Sequence, residues 1–271
     1  MDGWIPINVK RDAVRDKIRP RDIYRTNMHK PCLAQHVAFL TELNDGDAEW
    51  IREKFYFLQT FVNNYINHHR DRATGLYYWQ NDAAIGVDND PCTYYRPERS
   101  SASIFLNCLM YKELKAMSYL CERLNLSETA PQYKKNASEL KTAIQKHCWD
   151  ERDGFFYSVD LNLLPVKQPD TFERHSGMPR DWDCLIMRIG VWSGFLAMWS
   201  GIATPEQSER MVREHFKNEK TFNAPYGIRT LSKMEKMYNL KASGNPSSWL
   251  GPVWGISNYM IWRGLVKYGY E

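Results

Sequence analysis

Apolar residues recur along this chain at spacings of three and four, which is the pattern of amphipathic α-helices. A first stripe begins at Leu33, and a second runs from Ile51 to Tyr65 after a short polar turn. Two more stripes run from Leu106 to Leu124 and from Tyr133 to Cys148. The pattern therefore predicts two helical hairpins in the first half of the chain.

Three further helices are predicted in the second half. Apolar positions from Leu185 to Trp199 indicate a fifth helix. The segment Thr204-Pro205-Glu206-Gln207 supplies an N-cap, a proline at the first helical position and a capping-box glutamine, so a sixth helix begins there. A seventh begins near Pro252 and continues to the end of the chain. The pattern therefore predicts seven helices in all.

The loops that separate these helices are long, since the median loop length in compact domains is about 4–6 residues. They run from Gly75 to Arg99, from Asp150 to Asp181 and from Asn218 to Gly251, and they are rich in glycine, proline and aromatic residues. Helical hairpins with elaborated loops fit an α-solenoid or a helical barrel. No repeat of fixed period is evident, which favours the barrel.

Composition and charge narrow the class of protein. The 271 residues, of which 43% are hydrophobic and 25% charged, fit one globular domain over residues 1–271. No run approaches the roughly 18 apolar residues of a membrane span, and no secretory signal is visible, which favours cytoplasm over periplasm. The formal charge of +4 is small and basic residues alternate with acidic ones, so nucleic acid binding is not indicated.

Cysteine and aromatic content bear on the kind of site. Six cysteines lie far apart without a C-x-x-C pair, so buried thiols are favoured over disulfides or metal ligands. No metal or cofactor site is predicted. The 10 Trp, 16 Tyr and 11 Phe are unusually many, and many stand beside Gly, Pro and Asn. Flat aromatic faces suit the C–H faces of sugars, although a tryptophan-rich core is the simpler interpretation.

The segment AAIGVDNDPCTYY is the strongest candidate for acid–base chemistry. It contains Asp88 and Asp90 in a loop between two predicted helices. A carboxyl group among apolar neighbours can have its pKa raised and be held ready to give a proton. The alternative is that the two aspartates form a turn or cap a helix, which spacing alone favours. The chain shows no P-loop, dinucleotide fingerprint, H-E-x-x-H or G-x-S-x-G motif.

Five segments in order then resemble one family. GVDNDP is similar to the GMDNSP-type acid loop of glycoside hydrolase family 63, of the related mannosylglycerate hydrolases and, more distantly, of the trehalases. DGWIP, HCWDERDGFFYSVD, APYGIRTLSK and WLGPVWGISNYMIWRGLVKYGY resemble four other segments of the same family. The resemblance covers nearly the whole chain, although Asp90 stands where the family usually has serine.

The resemblance implies an all-α fold, the (α/α)6 barrel of six-hairpin glycosidases. Because seven helices are fewer than six hairpins contain, we expect a barrel that is incomplete at both ends. Its first and last helices should then expose apolar faces, which predicts self-association or a complementary barrel fragment as a partner.

The resemblance also implies an inverting mechanism, in which one carboxylic acid protonates the leaving oxygen while a carboxylate roughly 6.5–9.5 Å away activates water. Asp88 occupies the position of the acid. The family's catalytic base is a glutamate that follows the last matching segment, and Glu271 does not match it. The base is therefore expected to be absent from this chain.

Six residues match or resemble pocket positions of the family. These candidate substrate-binding residues are Trp4, Asn89, Tyr226, Arg229, Trp249 and Trp254. For the last two tryptophans simple packing is an equal alternative, and Arg229 could instead be a buried ion-pair partner. The implied substrate is a small α-glucoside or α-mannoside, or a mannosylglycerate-like conjugate. The alternative function is a non-catalytic carbohydrate-binding or helical scaffold protein.

Overall fold

A computed structural model describes residues 3–5, 28–94, 96–163, 182–241 and 247–270. Within these residues the chain forms seven α-helices, as the pattern predicts. They are α1 (Leu33–Leu43), α2 (Phe55–His68), α3 (Ile104–Arg123), α4 (Ala130–His147), α5 (Leu196–Ser200), α6 (Pro205–Arg210) and α7 (Gly255–Lys267).

The odd-numbered helices form a row in which each contacts the next: α1 contacts α3, α3 contacts α5, and α5 contacts α7. The helix α2 packs on α1 and α3, and α4 packs on α3. The helix α3 buries residues on nearly all sides, whereas α4 buries one face and leaves a polar one outside. This alternation of inner and outer helices is that of an (α/α) barrel.

Seven short strands lie in the described parts of the loops. β1 (Ser101–Ala102), β4 (Val159–Asp160) and β5 (Leu185–Ile186) form an antiparallel sheet in the order β1-β4-β5. The other two sheets are hairpins, and their strands are β2 (Trp149–Asp150), β3 (Phe155–Phe156), β6 (Asn223–Ala224) and β7 (Gly227–Ile228).

The start of the fifth predicted helix was wrong. Leu185 and Ile186 lie in β5, and Met187 continues that pairing by donating its N–H to the Ser158 carbonyl at 2.9 Å. Helical structure begins only at the 3₁₀ turn Trp192–Phe195, which leads into α5. Periodicity does not separate a short apolar run in a strand from one in a helix, so the strand partner decided the outcome.

The predicted start of α6 is confirmed. The Thr204 hydroxyl accepts the Gln207 backbone N–H at 3.2 Å, and the Gln207 side-chain oxygen accepts the Thr204 N–H at 2.9 Å. Both bonds of a capping box are therefore present, with Pro205 at the first helical position. The helix continues as the π-helical segment Met211–Phe216.

Apolar side chains on the outside of α1 and α7 are exposed, as expected for the first and last helices. On α1 they include Phe39 and Leu43, and on α7 they include Tyr259 and Trp262. Among the helices that the structure describes, α1 and α7 each have one neighbour in the inner row, whereas α3 and α5 have two. None of the helices in the described part of the chain is long and apolar enough to cross a membrane.

Candidate active site

Asp88 lies in the loop that leads from α2 to α3, and its side chain is exposed. The residue before the turn, Gly86, has φ +62°, a conformation in which a side chain would be strained. A Cβ there would also overlap the Lys30 ammonium. Asp88, two residues further on, is exposed at the surface of the same loop.

Asp90 has the opposite environment. Its side chain is 3% exposed, and its carboxylate accepts the Cys92 N–H at 2.7 Å. Its carbonyl accepts the N–H groups of Thr93 and Tyr94 at 3.0 and 2.8 Å. Of the two predicted roles for this pair of aspartates, the turn role is therefore performed by Asp90.

Burial raises the pKa of the Asp90 carboxyl to about 6, against the hydrogen bonds from Cys92 and Thr93 that lower it. The folded protein therefore holds this proton more tightly than the unfolded chain does. The stability that the proton contributes is full below the ordinary carboxyl pKa of about 4 and is lost as the pH rises through about 6.

Asn89 connects the loop that carries Asp88 to a segment far along the chain. Its side-chain oxygen accepts the backbone N–H of Trp249 at 2.7 Å. The structure thus brings together three of the predicted pocket residues, since Trp249 contacts Trp254 directly. This bond joins residues 160 positions apart.

The three tryptophans Trp192, Trp249 and Trp254 form a stack. The rings of Trp249 and Trp254 are nearly parallel, 7° apart, with centroids separated by 4.3 Å. Trp192 covers the Trp249 ring at 5.9 Å. Trp249 is 6% exposed, whereas Trp254 is half-buried and donates its indole N–H to the Ser248 carbonyl at 2.8 Å. Trp254 is therefore the member of the stack that is open to solvent.

The stack continues into the core. Trp192 packs against Phe105 of α3 at 5.3 Å, and Phe105 packs against Trp79 at 6.3 Å. Sequence reasoning missed Trp192 as a site residue because its spacing matches an apolar helical stripe, and that spacing alone cannot distinguish a supporting ring from an ordinary core ring.

Arg229 and Tyr226 belong to the hairpin of β6 and β7 and to the residues after it. Tyr226 is 92% exposed at the tip of the hairpin. Arg229 donates to the Tyr238 hydroxyl at 3.2 Å and to the Asn223 carbonyl, and it forms a β-bridge with Val253. Its side chain also lines a cavity of about 580 Å³. The hairpin is thus attached to the segment that carries Trp254.

Thr230 holds the same segment from the other side. Its hydroxyl donates to the Pro252 carbonyl at 2.9 Å and accepts the Gly251 N–H at 3.2 Å. Its carbonyl accepts the Trp192 N–H at 2.9 Å. Thr230 is fully buried and was not predicted as a site residue. Its role follows from contacts that the sequence does not display.

Trp4 lies in a short segment at the start of the described chain. It is half-buried and packs against the core, while Gly3 lies directly on the backbone of Thr60 in α2. The carbonyl of the next residue, Ile5, accepts the His29 N–H at 2.8 Å. The rest of the predicted loop and Glu271 lie outside the described residues.

Among the residues that are described, no group of three or more histidine, cysteine or carboxylate side chains is placed to hold a metal ion.

Comparison with known proteins identifies the family of this chain. The sequence matches the family described as "Mannosylglycerate hydrolase MGH1-like glycoside hydrolase domain" over residues 1–271. The chain belongs to this family. It is also 27% identical over 180 residues to the cytosolic neutral trehalase of Kluyveromyces lactis, a match that covers 63% of this chain and 21% of the trehalase.

A second relative, an uncharacterized protein of Borreliella burgdorferi, is 25% identical over 239 residues, covering 88% of this chain and 40% of that protein. This glycoside hydrolase domain thus spans less than half the length of these two relatives. The GH63 mannosylglycerate hydrolase from Thermus thermophilus, solved with Tris, has a TM-score of 0.69 at 17% identity, covering 99% of this chain and 73% of that one. Neutral trehalase from Saccharomyces cerevisiae has a TM-score of 0.58 at 17% identity, covering 89% and 53%. These likenesses show the fold, an (α/α)6 barrel.

Proposed function

We propose that this domain hydrolyses an α-glucosidic or α-mannosidic bond with inversion, and that Asp88 is its general acid. The observation that carries the proposal is the bond between Asn89 and Trp249, which sets the exposed carboxyl of Asp88 on a loop fastened to the tryptophan stack. The open ring of Trp254 offers a flat apolar face for a sugar, and Trp249 supports it from behind.

In this mechanism the protonated Asp88 carboxyl gives its proton to the glycosidic oxygen as the bond to the anomeric carbon breaks. Water attacks that carbon from the opposite face, and a second carboxylate takes the proton that the water loses. The products are two free hydroxyl groups, one of them on a sugar of inverted configuration. We assign no carboxylate of this chain as the base.

The proposed substrate is a small α-glucoside or α-mannoside, or a conjugate of the kind that mannosylglycerate represents. Tyr226 and Arg229 would meet it from the β6–β7 hairpin, and Trp4 from the segment that bonds to His29. These positions belong to separate segments, so a bound sugar would contact several loops at once.

The test is hydrolysis of aryl α-glucosides and aryl α-mannosides, with the anomer of the product followed by proton NMR. We expect Asp88→Asn to abolish turnover, because an amide cannot give the proton. Asp82→Asn, which alters another aspartate of the same loop, is the matched control and should retain turnover. Undiminished hydrolysis by Asp88→Asn would refute the acid assignment. Sugar binding without any turnover by the unaltered chain would favour the non-catalytic carbohydrate-binding alternative.

A further inference from the structure

The side-chain oxygen of Asn89 already accepts a hydrogen bond from the protein backbone. That oxygen accepts the Trp249 N–H at 2.7 Å, and Asn89 is the residue directly after Asp88. A displacement of this side chain would therefore move the neighbouring acid. The bond is the kind of contact that positions a catalytic group without touching substrate.

The partner of this bond is itself firmly held. Trp249 is stacked between Trp192 and Trp254, and the residues that follow it are bound by the buried Thr230 through the Gly251 N–H and the Pro252 carbonyl. The Trp249 ring and the residues after it are thus bound to buried groups, and the Asn89 bond joins the Asp88 loop to them. The Asp88 loop and the ring of Trp254, the proposed sugar platform, are therefore held in a fixed position relative to each other.

We infer that Asn89 is a positioning residue, which sets Asp88 against the sugar platform of Trp254 through its bond to the Trp249 backbone. The inference rests on the proposed function for its catalytic consequence, since Asp88 must be the acid. It differs from the prediction that Asn89 binds substrate, and the experiment below distinguishes the two roles. A misplacement of about 1 Å in a catalytic group lowers the rate by about 100-fold, so the loss of one such bond has a large effect on chemistry and a small one on binding.

The test compares Asn89→Ala with Asn89→Asp in two measurements. Hydrogen exchange and the chemical shift of the Trp249 amide are followed by NMR, with Asn81→Ala as control because Asn81 bonds within the same loop, to the Ala83 N–H at 3.1 Å. Rates are measured on a methyl α-glycoside, whose leaving group needs a proton, and on an α-glycosyl fluoride, whose leaving group does not.

We expect Asn89→Ala to expose the Trp249 amide and to lower kcat on the methyl glycoside about 10- to 100-fold, with little change in KM and a much smaller loss on the fluoride. Asn89→Asp keeps an acceptor oxygen, so the amide should stay protected.

Two results overturn the inference: a Trp249 amide as protected in Asn89→Ala as in Asn81→Ala, or a raised KM with unchanged kcat, which would make Asn89 a substrate contact. If the unaltered chain turns over neither substrate, the amide measurement still decides whether Asn89 holds the loop. Failure of the proposed function is recognised separately, by turnover of the methyl glycoside in Asp88→Asn.

Discussion

Glu113 holds the inner helices together through a buried carboxylate. It lies on α3 with 0% exposure and accepts the backbone N–H groups of Ala34 and Gln35 at 2.8 and 3.1 Å, and the Gln35 side-chain amide at 3.0 Å. The N-cap residue of α1, Cys32, makes no side-chain cap bond. Glu113 therefore caps the first turn of α1 from a neighbouring helix, where a negative charge also meets the positive end of the helix dipole.

Glu113→Gln preserves the volume of this side chain but replaces one acceptor oxygen with an NH₂ group. That group would face an N–H donor of α1, so at least one bond to a charged acceptor is lost, worth about 1.5–3 kcal/mol. Burial raises the pKa of Glu113, although the hydrogen bonds it accepts lower that pKa. The buried charge is therefore costly, and its removal offsets part of the free energy lost with the hydrogen bond. We expect the free energy of unfolding to fall by about 2 kcal/mol and Tm by roughly 4–8 °C.

The assay is urea unfolding at pH 7, followed by circular dichroism. Glu122→Gln is the matched control, because Glu122 is an exposed residue of the same helix. Its variant should differ from the unaltered protein by less than about 0.5 kcal/mol. Equal stability of the two variants would refute the capping role of Glu113.

Three further outcomes are expected. In the unaltered protein, titration of Asp90 should lower the free energy of unfolding by about 3 kcal/mol between pH 4 and pH 6. Asp90→Asn keeps an acceptor for the Cys92 N–H but cannot titrate, so urea unfolding from pH 4 to 8 should no longer show this decrease; an unchanged pH dependence would contradict this. Trp254→Ala should weaken sugar binding about tenfold in calorimetric titration, and unaltered affinity would exclude its platform role. Gly194→Ala, whose Cβ would overlap the Phe155 ring, should destabilise the fold by about 3 kcal/mol, whereas Gly255→Ala, with no atom within 4 Å of its Cβ, should not; both are measured by thermal unfolding.

The helices were accessible from sequence because their information is local. The stripes that contain Leu106 and Tyr133 follow the 3.6-residue period, and they correspond to α3 and α4. The start of α6 was predictable for the same reason, since Thr204 and Gln207 satisfy each other three residues apart. The loop of the proposed acid was predicted through an ordered set of short segments, each of which lies within one stretch of chain.

The tertiary structure decided every feature that depends on distant partners. Leu185 became a strand residue because Asp160 lies beside it. Asp90 is the buried residue of the turn, whereas Asp88 is exposed. The sequence alone does not show which of these two nearly adjacent aspartates is buried. Asn89 met Trp249 across 160 positions. Such contacts arise when packing brings remote segments together, and local periodicity carries no record of which segments will meet.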